Sequence, residues 1–241
     1  MVTLTVFAVA SASDDAHVLV RAGVEAHHGH DASPPIAERF SPEEALTAYL
    51  LDAAEDWVPM RAHVWAGETE EQAHARIGRL ARAIAVVALD PAEPPLYAPP
   101  HARGKTAMLL LAQAAIESGF AAWVEDGRCN DARWRASAEG KRLMHGDCDY
   151  AMTPSGAWSP WQIHVDEQGG VILEGTGWLA ANRRKGAPAI HGPDVIRDRV
   201  TASRVALHWK RATPTAWGSD GHARGKAWAW TRAHAFDASV P

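Results

Sequence analysis

The sequence predicts a mainly α chain, a helical bundle beside a small irregular or β lobe. Three observations carry that expectation. The ten residues from Ala107 to Ile116 hold no charge, a run too short to cross a membrane and typical of a helix buried in a core. Two stretches before it open with helix start signals, and in the second apolar residues follow at spacings of three and four. From Val124 to Thr176, Gly, Asp, Asn and Pro become frequent and the helical period disappears, the texture of loops and short strands.

Taken in order, Val2 to Ala12 is apolar, and Ala8-Val9-Ala10 has the small residues of a cleavage site. No Lys or Arg precedes it, so the positive n-region of a signal peptide is missing and a strand-like arm fits equally well. His27-His-Gly-His-Asp31 and Ser33-Pro-Pro35 read as a solvated loop, since no second group of metal ligands accompanies the histidines. Ser41-Pro-Glu-Glu44 supplies an N-cap, a proline at the first helical position and acids in the first turn, predicting a helix to Trp57, before Pro59. Thr69 caps the next helix, whose face is Ile77, Leu80, Ile84 and Val87 or Ala88, and which ends at Pro91, Pro94 and Pro95. A Pro-rich connector leads through Arg103-Gly-Lys105 to the uncharged helix. Beyond the lobe, helices are expected around Trp178–Asn182, over Asp194–Arg211 and over Lys226–Phe236. Residues 1–65 are expected as a mostly helical N-terminal extension, and 66–241 as one domain.

At 241 residues and 47% hydrophobic content the chain can bury a sizeable core. Its net charge of -5 argues against a general nucleic-acid surface. Trp is abundant, 11 against 3 Tyr and 4 Phe. Trp stacks well on flat apolar faces, those of sugar rings included, although most Trp residues fill cores. Cys129 and Cys148 flank a polar stretch. A disulfide between them would close a loop of roughly 20 residues and stabilise by about 3 kcal/mol, and a reduced pair is equally compatible. With neither a CxxC nor a paired-His spacing, no zinc site is expected, and nothing calls for a cofactor.

Glu117 closes the uncharged helix and is followed by Ser118, Gly119 and Phe120. Partial burial and the negative end of the helix dipole both disfavour an ionised carboxylate in that place. Glu117 is therefore expected to retain a proton near neutral pH, as a general acid for glycosidic cleavage requires. The plain alternative is a Glu that bends into water beside an ordinary Gly119 C-cap.

Ala114-Ala-Ile-Glu-Ser-Gly-Phe120 resembles the Glu-Ser motif of the soluble lytic transglycosylase and goose-type lysozyme group. Roughly 45 residues on, Ser155-Gly-Ala-Trp-Ser-Pro-Trp-Gln-Ile163 is similar to that group's Gly-x-x-x-Leu-Met-Gln segment, with Gln162 as the Gln, Gly156 nearest the Gly and Trp161 in the Met position. The region Arg197–Trp209 is similar to the helix behind the cleft. The resemblance runs from about Leu80 to the C-terminus and implies a lysozyme-like α+β fold over 66–241. Two departures stand out: Arg128–Tyr150 is longer and more polar than in the simplest members, and Pro160-Trp161 replaces Leu-Met.

The resemblance implies cleavage of the β-1,4 bond between N-acetylmuramic acid and N-acetylglucosamine in peptidoglycan, with Glu117 as acid and then base. Asp147 and Asp149 are the leading candidates for a second carboxylate, with Glu125 and Asp126 behind them; each could equally be a solvated loop acid. Carboxyl groups about 5–5.5 Å apart imply retention and about 6.5–9.5 Å inversion. Without a second carboxylate, the muramoyl 6-hydroxyl attacks and leaves a 1,6-anhydro product. Ser118 is expected to hold the Glu117 carboxylate or cap the helix. Trp158 and Trp161 are candidates for stacking on sugar, as is Trp178. His164 would share a strand face with Gln162. The partners implied are glycan strands at the cell wall or in the periplasm, reached by export, a holin or a virion, with no stable membrane insertion.

Overall fold

A computed structural model describes residues 41–128, 131–143, 157–164, 195, 197–212 and 219–236. Helix α1 (Pro42–Trp57) starts as its sequence dictates. Ser41 Oγ accepts from the Glu44 amide, and the Glu44 carboxylate accepts from the Ser41 amide at 2.9 Å, which closes a capping box. A 3₁₀ segment, Met60–Ala66, leads to α2 (Glu70–Leu89), which Thr69 and Gln72 cap in the same reciprocal way. Its predicted face is buried in full: Ile77, Leu80, Ile84, Val87 and Ala88.

Helix α3 (Ala102–Ser118) has no capping side-chain bond at its N-terminus. Burial holds it instead: every residue from Thr106 to Ala115 is buried, on all sides of the helix. It is the central element, packed by α1, α2, α7 (Arg199–Ala212) and α8 (Asp220–Ala233). Aromatic rings close the bundle between α1 and α8. Trp230 meets Tyr49 and Trp57 edge-on, each at 6.3 Å, and the Tyr49 hydroxyl donates to the His234 carbonyl. Trp209 and Trp230 are buried in the same core, and Trp228 packs half-buried against it.

Three differences from the predicted organisation have physical causes. Leu46, Leu50, Leu51 and Met60 belong to one cluster with α2 and α3, so the predicted division at residue 65 cuts through a single core. Part of the region read as loops and strands forms three short helices, α4 (Ala122–Glu125), α5 (Ala132–Ala136) and α6 (Ala138–Leu143). They are too short to show a period, and they bury Trp123, Val124 and Leu143 in a small cluster of their own. Gly140 is obligatory there, because a Cβ would meet the Trp134 carbonyl oxygen at 2.1 Å. Helix α8 begins six residues before its predicted start at Lys226, for reasons given below. The only strands among the described residues are β1 (Ala157–Trp158) and β2 (Ile163–His164), an antiparallel hairpin. The helix expected around Trp178–Asn182 lies outside the described residues, as do the N-terminal arm and the histidine-rich loop. No helix among the described residues is long and apolar enough to cross a membrane.

Candidate functional site

The C-terminal end of α3 gathers most of the residues that the sequence singles out. The helix stops because Gly119 takes a left-handed φ of 54°, where its amide bonds to the Ala115 carbonyl at 2.9 Å. Ser118 Oγ donates to the Ala114 carbonyl at 2.8 Å and accepts from the Phe120 amide at 3.2 Å. Beside the Gly119 C-cap, the Ser118 side chain thus binds the helix end and leaves the Glu117 carboxylate to other partners. Phe120 is also left-handed, at φ 55°, and its ring is buried.

The hairpin secures the same helix end. Its four-residue turn places Ser159 at φ 68° and Gln162 at φ 48°, closed by the Gln162 amide on the Ser159 carbonyl at 3.0 Å. Gln162 Nε2 donates to the backbone carbonyl of Glu117, one of the carbonyls a helix end leaves unpaired. The residue predicted to border the cleft thus lies against the predicted acid. Trp161 requires a correction. It was expected as a candidate for sugar stacking, yet its ring is 0% exposed and its Nε1 donates to the Leu110 carbonyl of α3 at 2.8 Å. Its Gly/Pro-rich surroundings suggested an exposed loop, but the turn points the ring inward, where it gains apolar burial and an acceptor for its N–H. Trp158 is half-buried against the main core, with no partner for its Nε1 among the described residues. The backbone of His164 pairs with Ala157. Asp147, Asp149, Cys129 and Cys148 lie outside the described residues, as do Gly156 and Trp178.

The Glu117 carboxylate is half-buried and faces α8. Oε1 accepts from Gln113 Nε2 at 2.6 Å and from Ser219 Oγ, and Gln113 Nε2 also lies 2.6 Å from Ser219 Oγ. Behind Ser219, the buried Lys210 ammonium bonds to Asp220, which takes Arg224 Nε on its other oxygen at 2.7 Å. Arg224 in turn donates to the Tyr97 hydroxyl at 2.9 Å. Burial lowers the Lys210 ammonium below the usual lysine range, more than Asp220 and, at longer range, Glu117 raise it. Burial alone would raise the Asp220 carboxyl, but its bonds to Lys210 and Arg224 prevail and hold it low.

Gln113, Ser219, Lys210 and Asp220 were not anticipated. Gln113 left a signal, being the one polar residue of the uncharged run and four residues before Glu117, hence on the same helix face. Ser219 is 102 residues from Glu117 and left none.

Glu125, one of the alternative second carboxylates, is committed elsewhere. It is 4% exposed and pairs with Arg76 at 3.1 Å and with Arg199, while Arg76 also clamps Glu68 through two bonds of 2.7–2.8 Å. The Arg199 contact is close in distance without hydrogen-bond alignment. These pairs tie α2, α4 and α7 together. No group of three or more His, Cys, Asp or Glu among the described residues is arranged to hold a metal ion. No family model, curated protein or solved structure matches the chain.

Proposed function

We propose that this chain is a peptidoglycan-cleaving glycosidase of lysozyme-like α+β fold, acting on the β-1,4 bond between N-acetylmuramic acid and N-acetylglucosamine. Glu117 is its general acid and then its base. The observation that carries this reading is the bond from Gln162 Nε2 to the Glu117 carbonyl. It joins the two segments whose motifs resemble the lytic transglycosylase and goose-type lysozyme group, at the exit of a helix with no solvent face. The nucleophile is either a carboxylate of the polar stretch, Asp147 or Asp149, or the 6-hydroxyl of the muramoyl residue. The partner is a glycan strand at the cell wall or in the periplasm, and delivery is by export, a holin or a virion.

A second reading has one observation in its favour. Glu117 Oε1 is taken by Gln113 and Ser219, the geometry of a tie between α3 and α8 in a non-catalytic glycan-binding or assembly protein. Purified peptidoglycan incubated with the wild type and with Glu117→Gln separates the two. The glycosidase reading expects soluble muropeptides from the wild type and none from the variant, with unchanged thermal unfolding. Release by neither protein, or equal release by both, refutes it. Mass spectrometry of the products distinguishes reducing-end from 1,6-anhydro sugars.

A further inference from the structure

Three polar groups at the α3–α8 junction have hydrogen positions that their chemistry dictates. The amide nitrogen of Gln113 can only donate. Ser219 Oγ, 2.6 Å from that nitrogen, therefore accepts from it and has its single hydrogen left for Glu117 Oε1. The same amide nitrogen also donates to Oε1 at 2.6 Å. Once Glu117 has given up its proton, turning the amide over would set the Gln113 carbonyl oxygen against Oε1, acceptor against acceptor, so the present orientation is the one that suits the carboxylate. Oε1 is thus a double acceptor, while Oε2 has no hydrogen-bond partner among the described residues.

Resting on the glycosidase reading, we propose that Ser219 and Gln113 are positioning residues that commit Glu117 Oε1 to accepting, so that Oε2 is the oxygen that carries and delivers the proton. As the bond from the anomeric carbon to the glycosidic oxygen breaks, its electron pair goes to that oxygen. The proton on Oε2 follows, leaving a carboxylate. The donors already aimed at Oε1 stabilise the negative charge as it forms, without reorganisation. In the second half the carboxylate takes a proton back from the attacking water or 6-hydroxyl. Ser219 can serve because its own position is fixed. It immediately precedes the first turn of α8, and that turn is pinned to α7 by the buried Lys210–Asp220 pair.

The test measures kcat and KM on soluble glycan strands for the wild type, Ser219→Ala, Ser219→Thr and Gln113→Met. Ser219→Ala is expected to lower kcat by about tenfold or more, with KM and the thermal midpoint unchanged. Ser219→Thr, which keeps the hydroxyl, should restore most of the rate. Gln113→Met keeps the shape, loses both donors and should repeat the loss in kcat. An active wild type with Ser219→Ala at wild-type kcat overturns this inference alone. A loss that tracks KM or the midpoint, or one that Thr does not rescue, also overturns it by reducing Ser219 to a structural role. A wild type that cleaves nothing overturns the glycosidase reading and this inference with it.

Discussion

Replacing Trp161 by Ala separates a core anchor from a sugar platform. The ring is fully buried and its N–H is bonded to Leu110. A Trp removes about 200 Å² from water, which at about 25 cal/mol per Å² is about 5 kcal/mol. Residual burial in the unfolded chain trims that to about 3–4 kcal/mol. The lost hydrogen bond adds about 1 kcal/mol, so the expected loss is about 4–5 kcal/mol. For a chain of this size that lowers the thermal midpoint by roughly 8–20 °C at about 2–4 °C per kcal/mol. Trp161→Phe retains most of the ring and should cost about 1–2 kcal/mol. Urea titrations followed by far-ultraviolet circular dichroism measure both. The hairpin that carries Trp161 also brings Gln162 to Glu117, so Trp161→Ala should impair any activity of the wild type even at temperatures where it remains folded. A loss below about 1 kcal/mol, the range of surface substitutions, would refute the placement of this ring.

Arg76→Leu leaves Glu125 and Glu68 without their shared guanidinium and should cost about 3–5 kcal/mol; adding Glu125→Leu should cost less than the sum of the two single changes, as read from chemical denaturation. The His63 imidazole is held below the ordinary histidine range, first by burial and then by Arg76, with Glu68 opposing. A depressed folded value means that its contribution is complete above about pH 6.5 and is lost as the pH falls below that. Urea midpoints should therefore drop on acidification, and His63→Gln should shrink the drop; equal slopes would contradict this. Gly225 lies within α8 with nothing inside 4 Å of a built Cβ, so Gly225→Ala should stabilise by about 0.5–1 kcal/mol in the same titration.

Legibility in the sequence followed the range of the forces involved. Helices α1 and α2 are announced by local chemistry: Ser41 with Glu44, Thr69 with Gln72, and a buried face at helical spacing. Helix α3 is announced by the uncharged run Ala107–Ile116, and its burial at the centre follows from that run. The first turn of α8 carries no clear signal in the sequence, since Gly221 and Gly225 are poor helix formers. What makes that turn helical is distant in sequence: Asp220 is held by Lys210, and Ala223 and Ala227 are fully buried. The short helices α4 to α6 and the inward turn of Trp161 likewise depend on tertiary packing. At the candidate site, Glu117, Ser118 and Gln162 were readable from motif and spacing. Ser219 was not, because no local pattern encodes a hydrogen bond across 102 residues.

That separation also governs the order of assembly. Helix α3 packs against α1 and α2, which precede it, and against α7 and α8, which follow it by about a hundred residues. During synthesis, at roughly 5–20 residues per second, this helix, uncharged from Ala107 to Ile116, waits for several seconds with part of its surface uncovered. It is a ready target for a chaperone or for another nascent chain. The same wait applies to the Glu117 carboxylate, which gains its Ser219 partner only when α8 docks.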